Sequence, residues 1–179
     1  QLHLEYTKYI AQGTDNDRLI DQLSEELKPE QIAAEEALAT GLGIKELDVH
    51  YNKMLLYYQL KKDMVNGFNI AKKQINLAEN AEFKTNKKTL LSKYNNLLIF
   101  ATKLNDDAIV ASTLQKIKNL EVKTIDTKTL KYYTYFTSLA SYAVVKQQPA
   151  LLINELDDLK NFLDSSENSL IDENALVLY

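Results

Sequence analysis

The stretch from Lys88 to Glu121, KTLLSKYNNLLIFATKLNDDAIVASTLQKIKNLE, constrains the fold more than any other part of the chain. In its first half, Leu91, Tyr94, Leu97, Leu98, Ala101 and Leu104 recur at three- and four-residue steps, which is one face of an α-helix. Asn105-Asp106-Asp107 then breaks the pattern, and a short side-chain oxygen there can accept from the free amides of a new first turn. The helical period resumes with Ala111, Leu114, Ile117 and Leu120. Two helices of about four turns with a tight link between them make an αα-hairpin. Neither helix can bury its apolar stripe alone, so the hairpin needs neighbours of its own kind.

The rest of the chain supplies them. Four glycines and two prolines among 179 residues, with no long run of alternating β-branched and polar positions, predict an all-α chain. Helices are expected over Ile44–Leu60, Asp63–Asn80, Lys88–Leu104, Asp106–Glu121, Thr127–Lys146 and Pro149–Asp164. Upstream, Leu2–Gln12, Asp15–Lys28 and Pro29–Thr40 read as shorter helices that stop at the glycine bend Gly41-Leu42-Gly43. Downstream, 165–179 reads as the start of a further repeat, with Leu176, Val177 and Tyr179 on one face. The whole is expected to be one helical-repeat domain over 1–179, cut from a longer array. Its uncovered C-terminal end is expected to favour self-association.

Three hairpins over 44–164 superpose at a period of about 42–43 residues, inside the range of helical repeats. Tyr51, Tyr94 and Phe136 fall in one column, Met54, Leu97 and Leu139 in the next. Leu55, Leu98 and Ala140 follow, then Tyr58, Ala101 and Ala143. Second helices align through Gly67, Val110 and Leu152, then Ala71, Leu114 and Leu156. The next column, Gln74, Ile117 and Leu159, has one polar exception. These columns resemble the tetratricopeptide repeat over Leu47–Leu163. They depart from it in a longer period, a missing closing proline, and Leu98, Val110 and Leu152 at positions the family keeps small. The resemblance implies αα-hairpins stacked in a right-handed superhelix whose first helices line a concave groove. It also implies that the groove binds a protein or peptide segment.

On that register the groove-facing positions are Asn52, Leu56 and Gln59, then Ser92, Asn95, Ile99 and Thr102, then Thr134, Thr137 and Ser141. The candidate peptide-binding residues are therefore Asn52, Gln59, Ser92, Asn95, Thr102, Thr134, Thr137 and Ser141. Amide side chains both donate and accept, so they suit the backbone of an extended peptide. A second reading makes the chain a sensory or regulatory helical module of a larger bacterial signalling or transcription-regulatory protein. In that reading the Gly41–Gly43 bend is the moving part. A third makes it a spacer between other domains.

Other chemistry finds little support in the residues. A net charge of −4 argues against nucleic acid as the main partner, because phosphate binding needs a basic face. No apolar run reaches the roughly 18–20 residues of a membrane span. The chain begins at Gln1 without a signal-peptide pattern, which reads as a trimmed N-terminus. The absence of cysteine rules out disulfides and suits a reducing, cytoplasmic compartment. His3 and His50 lack companions at ligand spacing and read as surface or half-buried structural histidines, so no metal or cofactor is expected. Glu25-Glu26, Glu30, Glu35 and Glu36 read as a solvated helix face, Asp106-Asp107 as a helix cap, and Asp157-Asp158 as solvent-facing. No phosphate-cradling glycine loop, Gly-x-Ser-x-Gly elbow or His-Glu-x-x-His occurs, and no enzyme is expected. Eleven tyrosines suit rings that fill gaps between helices while their hydroxyls reach the rim. Tyr51 and Tyr58 are expected in the core, whereas Tyr132 and Tyr133 suit either the rim or a partner surface.

Overall fold

The computed structural model describes residues 44–79 and 86–164, together with positions 18, 20–22, 24 and 25. All of the regular structure among the described residues is helical, and no strand occurs there. The order from residue 44 is α1 (Ile44–Leu60), α2 (Met64–Glu79), α3 (Lys87–Lys103), α4 (Asp107–Asn119), α5 (Ile125–Lys146), α6 (Ala150–Ile153) and α7 (Leu156–Leu163). The chain gathers into two compact units, Gln1–Gln74 and Ile75–Tyr179. The Leu2–Lys28 and Pro29–Thr40 helices as drawn, the Gly41–Gly43 bend, His3 and the further repeat at 165–179 lie outside the described residues.

Helices α2 to α5 each start where a short polar side chain meets a free amide. Asp63 Oδ1 accepts from Asn66 N at 3.1 Å, Asn86 Oδ1 from Thr89 N at 2.9 Å and Asp106 Oδ1 from Ile109 N at 3.1 Å. Thr124 begins α5 through its hydroxyl, 3.4 Å from Thr127 N. These caps satisfy donors that no carbonyl of the helix can reach. They also account for the starts of α3 and α5, one and two residues ahead of the sequence expectation.

The helices end by one device used three times. Lys62, Asn105 and Gln147 all have φ of 56°, and all stand just after a first helix. In each case that residue's amide donates to the carbonyl three residues back: Gln59 (3.1 Å), Thr102 (3.2 Å) and Val144 (3.1 Å). The next amide donates five residues back, from Asp63 to Tyr58 (2.9 Å), Asp106 to Ala101 (3.0 Å) and Gln148 to Ala143 (2.9 Å). This is the Schellman turn, which needs a left-handed residue and normally recruits glycine. Lysine and glutamine carry a Cβ into that region at a cost of about 1 kcal/mol. Gln147→Gly is therefore expected to stabilise the protein by about 0.5–1 kcal/mol, read as a higher urea midpoint. An unchanged or lower midpoint would show that the left-handed turn is unstrained.

In the second unit, α3 lies against α4 and α5, and α4 also lies against α5. The core between them holds Leu91, Leu98, Phe100, Val110 and Ile117, each at most 2% exposed. Tyr94, Leu97, Leu114, Phe136 and Leu139 are buried around them, as expected. Three expectations need correction. Ala111 is exposed, because the buried seam of α4 runs through Val110, Thr113, Leu114 and Ile117. Reading apolar positions alone passes over a threonine that can occupy such a seam. The helix expected over Pro149–Asp164 is instead α6 and α7, separated by a turn at Asn154-Glu155. Glu155 N closes back on Leu152 O at 3.0 Å, while the Glu155 carboxylate is held by Lys118 Nζ at 2.7 Å. The break carries Leu156 out of its column, to 44% exposure. Ala140, and Tyr58 in the first unit, are half-buried rather than core.

In the first unit, the buried residues of α1 are Leu47, His50, Tyr51, Met54 and Leu55. His50 is 7% exposed, a correction to the surface or half-buried position expected, and its ring lies 6.3 Å from that of Tyr51. The polar exception in the repeat columns, Gln74, is 1% exposed. Its Nε2 donates to Asp48 Oδ1 at 3.0 Å and Asn52 Oδ1 at 2.9 Å, so a buried amide joins α2 to α1.

Candidate functional site

Between α3 and α5 the chain forms a cavity of about 130 Å³. Its wall comprises Asn95, Leu98, Ile99 and Thr102 from α3 with Thr137, Ser138 and Ser141 from α5. The three- and four-residue steps put these residues on one face of each helix, so the local sequence fixes the wall once α3 and α5 are adjacent. Four of the expected peptide-binding residues, Asn95, Thr102, Thr137 and Ser141, thus come together. Ser138 completes the wall and stands outside the groove row that the register gives.

The wall contains no charged residue. Leu98, Thr102 and Ser138 form its buried floor; Asn95 and Ile99 are half-buried, and Thr137 and Ser141 are exposed at the rim. The Thr137 hydroxyl donates to Tyr133 O in its own helix at 2.7 Å, which leaves its oxygen as an acceptor. The cavity is too small for a drug-sized ligand but is equivalent to about four water volumes. It can take one short side chain, or a peptide unit, against amide and hydroxyl groups.

The other expected residues stand apart from this wall. Ser92 is exposed on α3, Thr134 is 4% exposed within α5, and Gln59 is half-buried in the last turn of α1. Asn52 is exposed, but its side-chain oxygen already accepts from Gln74. That makes it also a structural partner of a buried amide.

Three of the tyrosines share a second recurrent arrangement. Tyr94 Oη donates to Glu79 Oε1 at 2.8 Å, while Lys116 Nζ approaches the two Glu79 oxygens at 2.8 and 3.0 Å. The Lys116 ammonium also stands 6.0 Å from the centroid of the Tyr94 ring. Lys118 repeats the pattern, 2.7 Å from Glu155 and 5.8 Å from the Tyr135 ring. So does Lys146, 2.6 Å from Asp107 and 5.7 Å from the Tyr142 ring. Each set joins neighbouring elements with a ring inside and charges at the rim. Among the described tyrosines Tyr133 is the exposed one, at 42%, whereas Tyr132 is half-buried and stacks on Phe136 at 6.2 Å.

Burial, and then the hydrogen bond and charge of Glu79, push the Tyr94 hydroxyl well above the usual phenol range. The folded state therefore holds this proton more tightly than the unfolded chain. Its contribution to stability is complete below about pH 10 and is lost as pH rises further. Tyr94→Phe is expected to flatten the fall of melting temperature above about pH 10. Parallel curves for the two proteins would rule out Tyr94 as a source of that fall.

Among the described residues no group of three histidine, aspartate or glutamate side chains could hold a metal ion. No described helix is long and apolar enough to cross a membrane. No family model matches the chain, and neither a curated protein nor a solved structure matches it.

Proposed function

We propose that the chain is a tetratricopeptide-like scaffold, without catalytic activity, that binds an extended peptide or protein segment between α3 and α5. The observation that carries this reading is the neutral wall of Asn95, Thr102, Thr137, Ser138 and Ser141, with its apolar floor at Leu98. Such a wall offers hydrogen bonds to a backbone without selecting a charged ligand. The repeat assignment is supported by the three Schellman turns at Lys62, Asn105 and Gln147, which follow the same period as the sequence columns. It is also supported by α3 lying against α5, first helix beside first helix, which is the neighbour relation of a stacked array.

The test is selection from a library of random peptides, followed by titration of the best binder. Asn95→Ala is expected to weaken that peptide by about 1–3 kcal/mol, the range for a lost hydrogen bond in a desolvated site. Gln115→Ala, on the exposed side of α4, should leave it unchanged. Equal affinity in the parent and the Asn95 variant would place peptide binding elsewhere.

A further inference from the structure

A larger cavity, of about 760 Å³, opens where the end of α4, the linker after it, the start of α5 and α7 meet. Three lysines line it, Lys123, Lys128 and Lys131, against two acids, Glu121 and Asp158. One of those acids is already engaged, because Asp158 Oδ2 lies 3.2 Å from Lys118 Nζ. The wall is thus locally positive in a chain whose net charge is −4. Asn161 adds an amide. The volume falls within the range of small-molecule sites, which extends from about 300 to 1,000 Å³.

Lys131 is the informative group. It is half-buried, and its Nζ donates to the backbone oxygen of Leu120 at 2.9 Å. A lysine that caps the last carbonyls of a helix is a sufficient structural role for that one bond. An ammonium has three donors, however, and among the described residues Lys131 meets no carboxylate. Burial lowers its pKa, the behaviour of a cation partly stripped of water and short of counter-charge. A charge in that condition gains most from an anion that can reach it.

We propose that this cavity binds a compact oxyanion, the phosphate or carboxylate group of a small molecule, held by Lys131 and Lys123 with a further hydrogen bond from Asn161. The site is separate from the α3–α5 wall and does not depend on peptide binding there. Phosphate and carboxylate share the chemistry of paired negative oxygens, so the titration has two arms.

The whole chain is titrated by NMR with sodium phosphate and, separately, with sodium succinate, each against sodium chloride at matched ionic strength. Saturable shifts of the Lys131 ε-methylene and the Asn161 amide are expected in at least one arm, and the arm that saturates names the anion. Lys131→Met should raise the dissociation constant about tenfold, the effect of one lost hydrogen bond to a charged group. Lys146→Met, whose ammonium is paired with Asp107 at 2.6 Å, should leave it unchanged. If Lys131→Met fails to fold, Lys123→Met serves, because that side chain is exposed and should weaken binding in the same direction. Shifts that follow ionic strength alone, or that persist undiminished in the lysine variant, overturn the proposal.

Discussion

Phe100→Ala is expected to lower the stability of the protein by about 3–5 kcal/mol. Phe100 is 2% exposed and is among the largest fully buried side chains of the described chain. It sits on α3, the helix that lies against both α4 and α5, so a void there weakens more than one contact. The cost combines lost transfer free energy with the cavity the surrounding helices cannot close. Against a typical total of about 5–15 kcal/mol, this is enough to unfold a large fraction of molecules near body temperature. Ile99, its neighbour on the half-buried cavity wall, provides the comparison, and Ile99→Ala should cost distinctly less. Urea denaturation of the three proteins decides the matter. A loss under about 1 kcal/mol for Phe100→Ala would mean that α3 is not the centre of this core.

The sequence made the helices legible because their signals are local. Asp106 and Asn86 cap as short polar side chains should, and the apolar period of α3 names Leu91, Tyr94, Leu97, Leu98 and Ala101, all buried, with Leu104 at its end half-buried. The helix stops were harder to see. Two of the three left-handed turns carry lysine and glutamine, residues that give no sign of positive φ; only Asn105 hints at it. The break at Asn154-Glu155 was hidden for a different reason. A carboxylate drawn to Lys118 from another helix is a tertiary effect, and no periodicity within 149–164 records it.

The candidate wall was legible in part for the same reasons. Register alone places Asn95 and Thr102 on one face of α3 and Thr137 and Ser141 on one face of α5, and the cavity joins them. Register cannot say which polar residues are already engaged. Lys131, which reaches back to Leu120 O, reads in the sequence as one more solvated base beside two tyrosines. Glu79, Tyr94 and Lys116 are scattered over three helices, and only the folded chain brings them together.

Gln74 gives the second large effect and separates structure from binding at Asn52. Gln74→Ala is expected to cost about 2–4 kcal/mol, from two lost hydrogen bonds, one of them to a carboxylate, and from buried methylenes. The acceptors left behind, Asp48 and Asn52, are half-buried and exposed, so water can reach them and little penalty arises from an orphaned oxygen. Asn52→Ala should cost less, about 0.5–1.5 kcal/mol, because Gln74 keeps its 3.0 Å bond to Asp48 and loses one net hydrogen bond. In a Gln74→Ala background the Asn52 substitution should then cost clearly less than in the parent, since its hydrogen bond with Gln74 is already gone. That coupling, measured by urea denaturation of the four proteins of the cycle, tests the structural role directly. If the Asn52 cost is the same in both backgrounds, the side chain does not support Gln74. Asn52 would then return to the set of residues presented to a peptide.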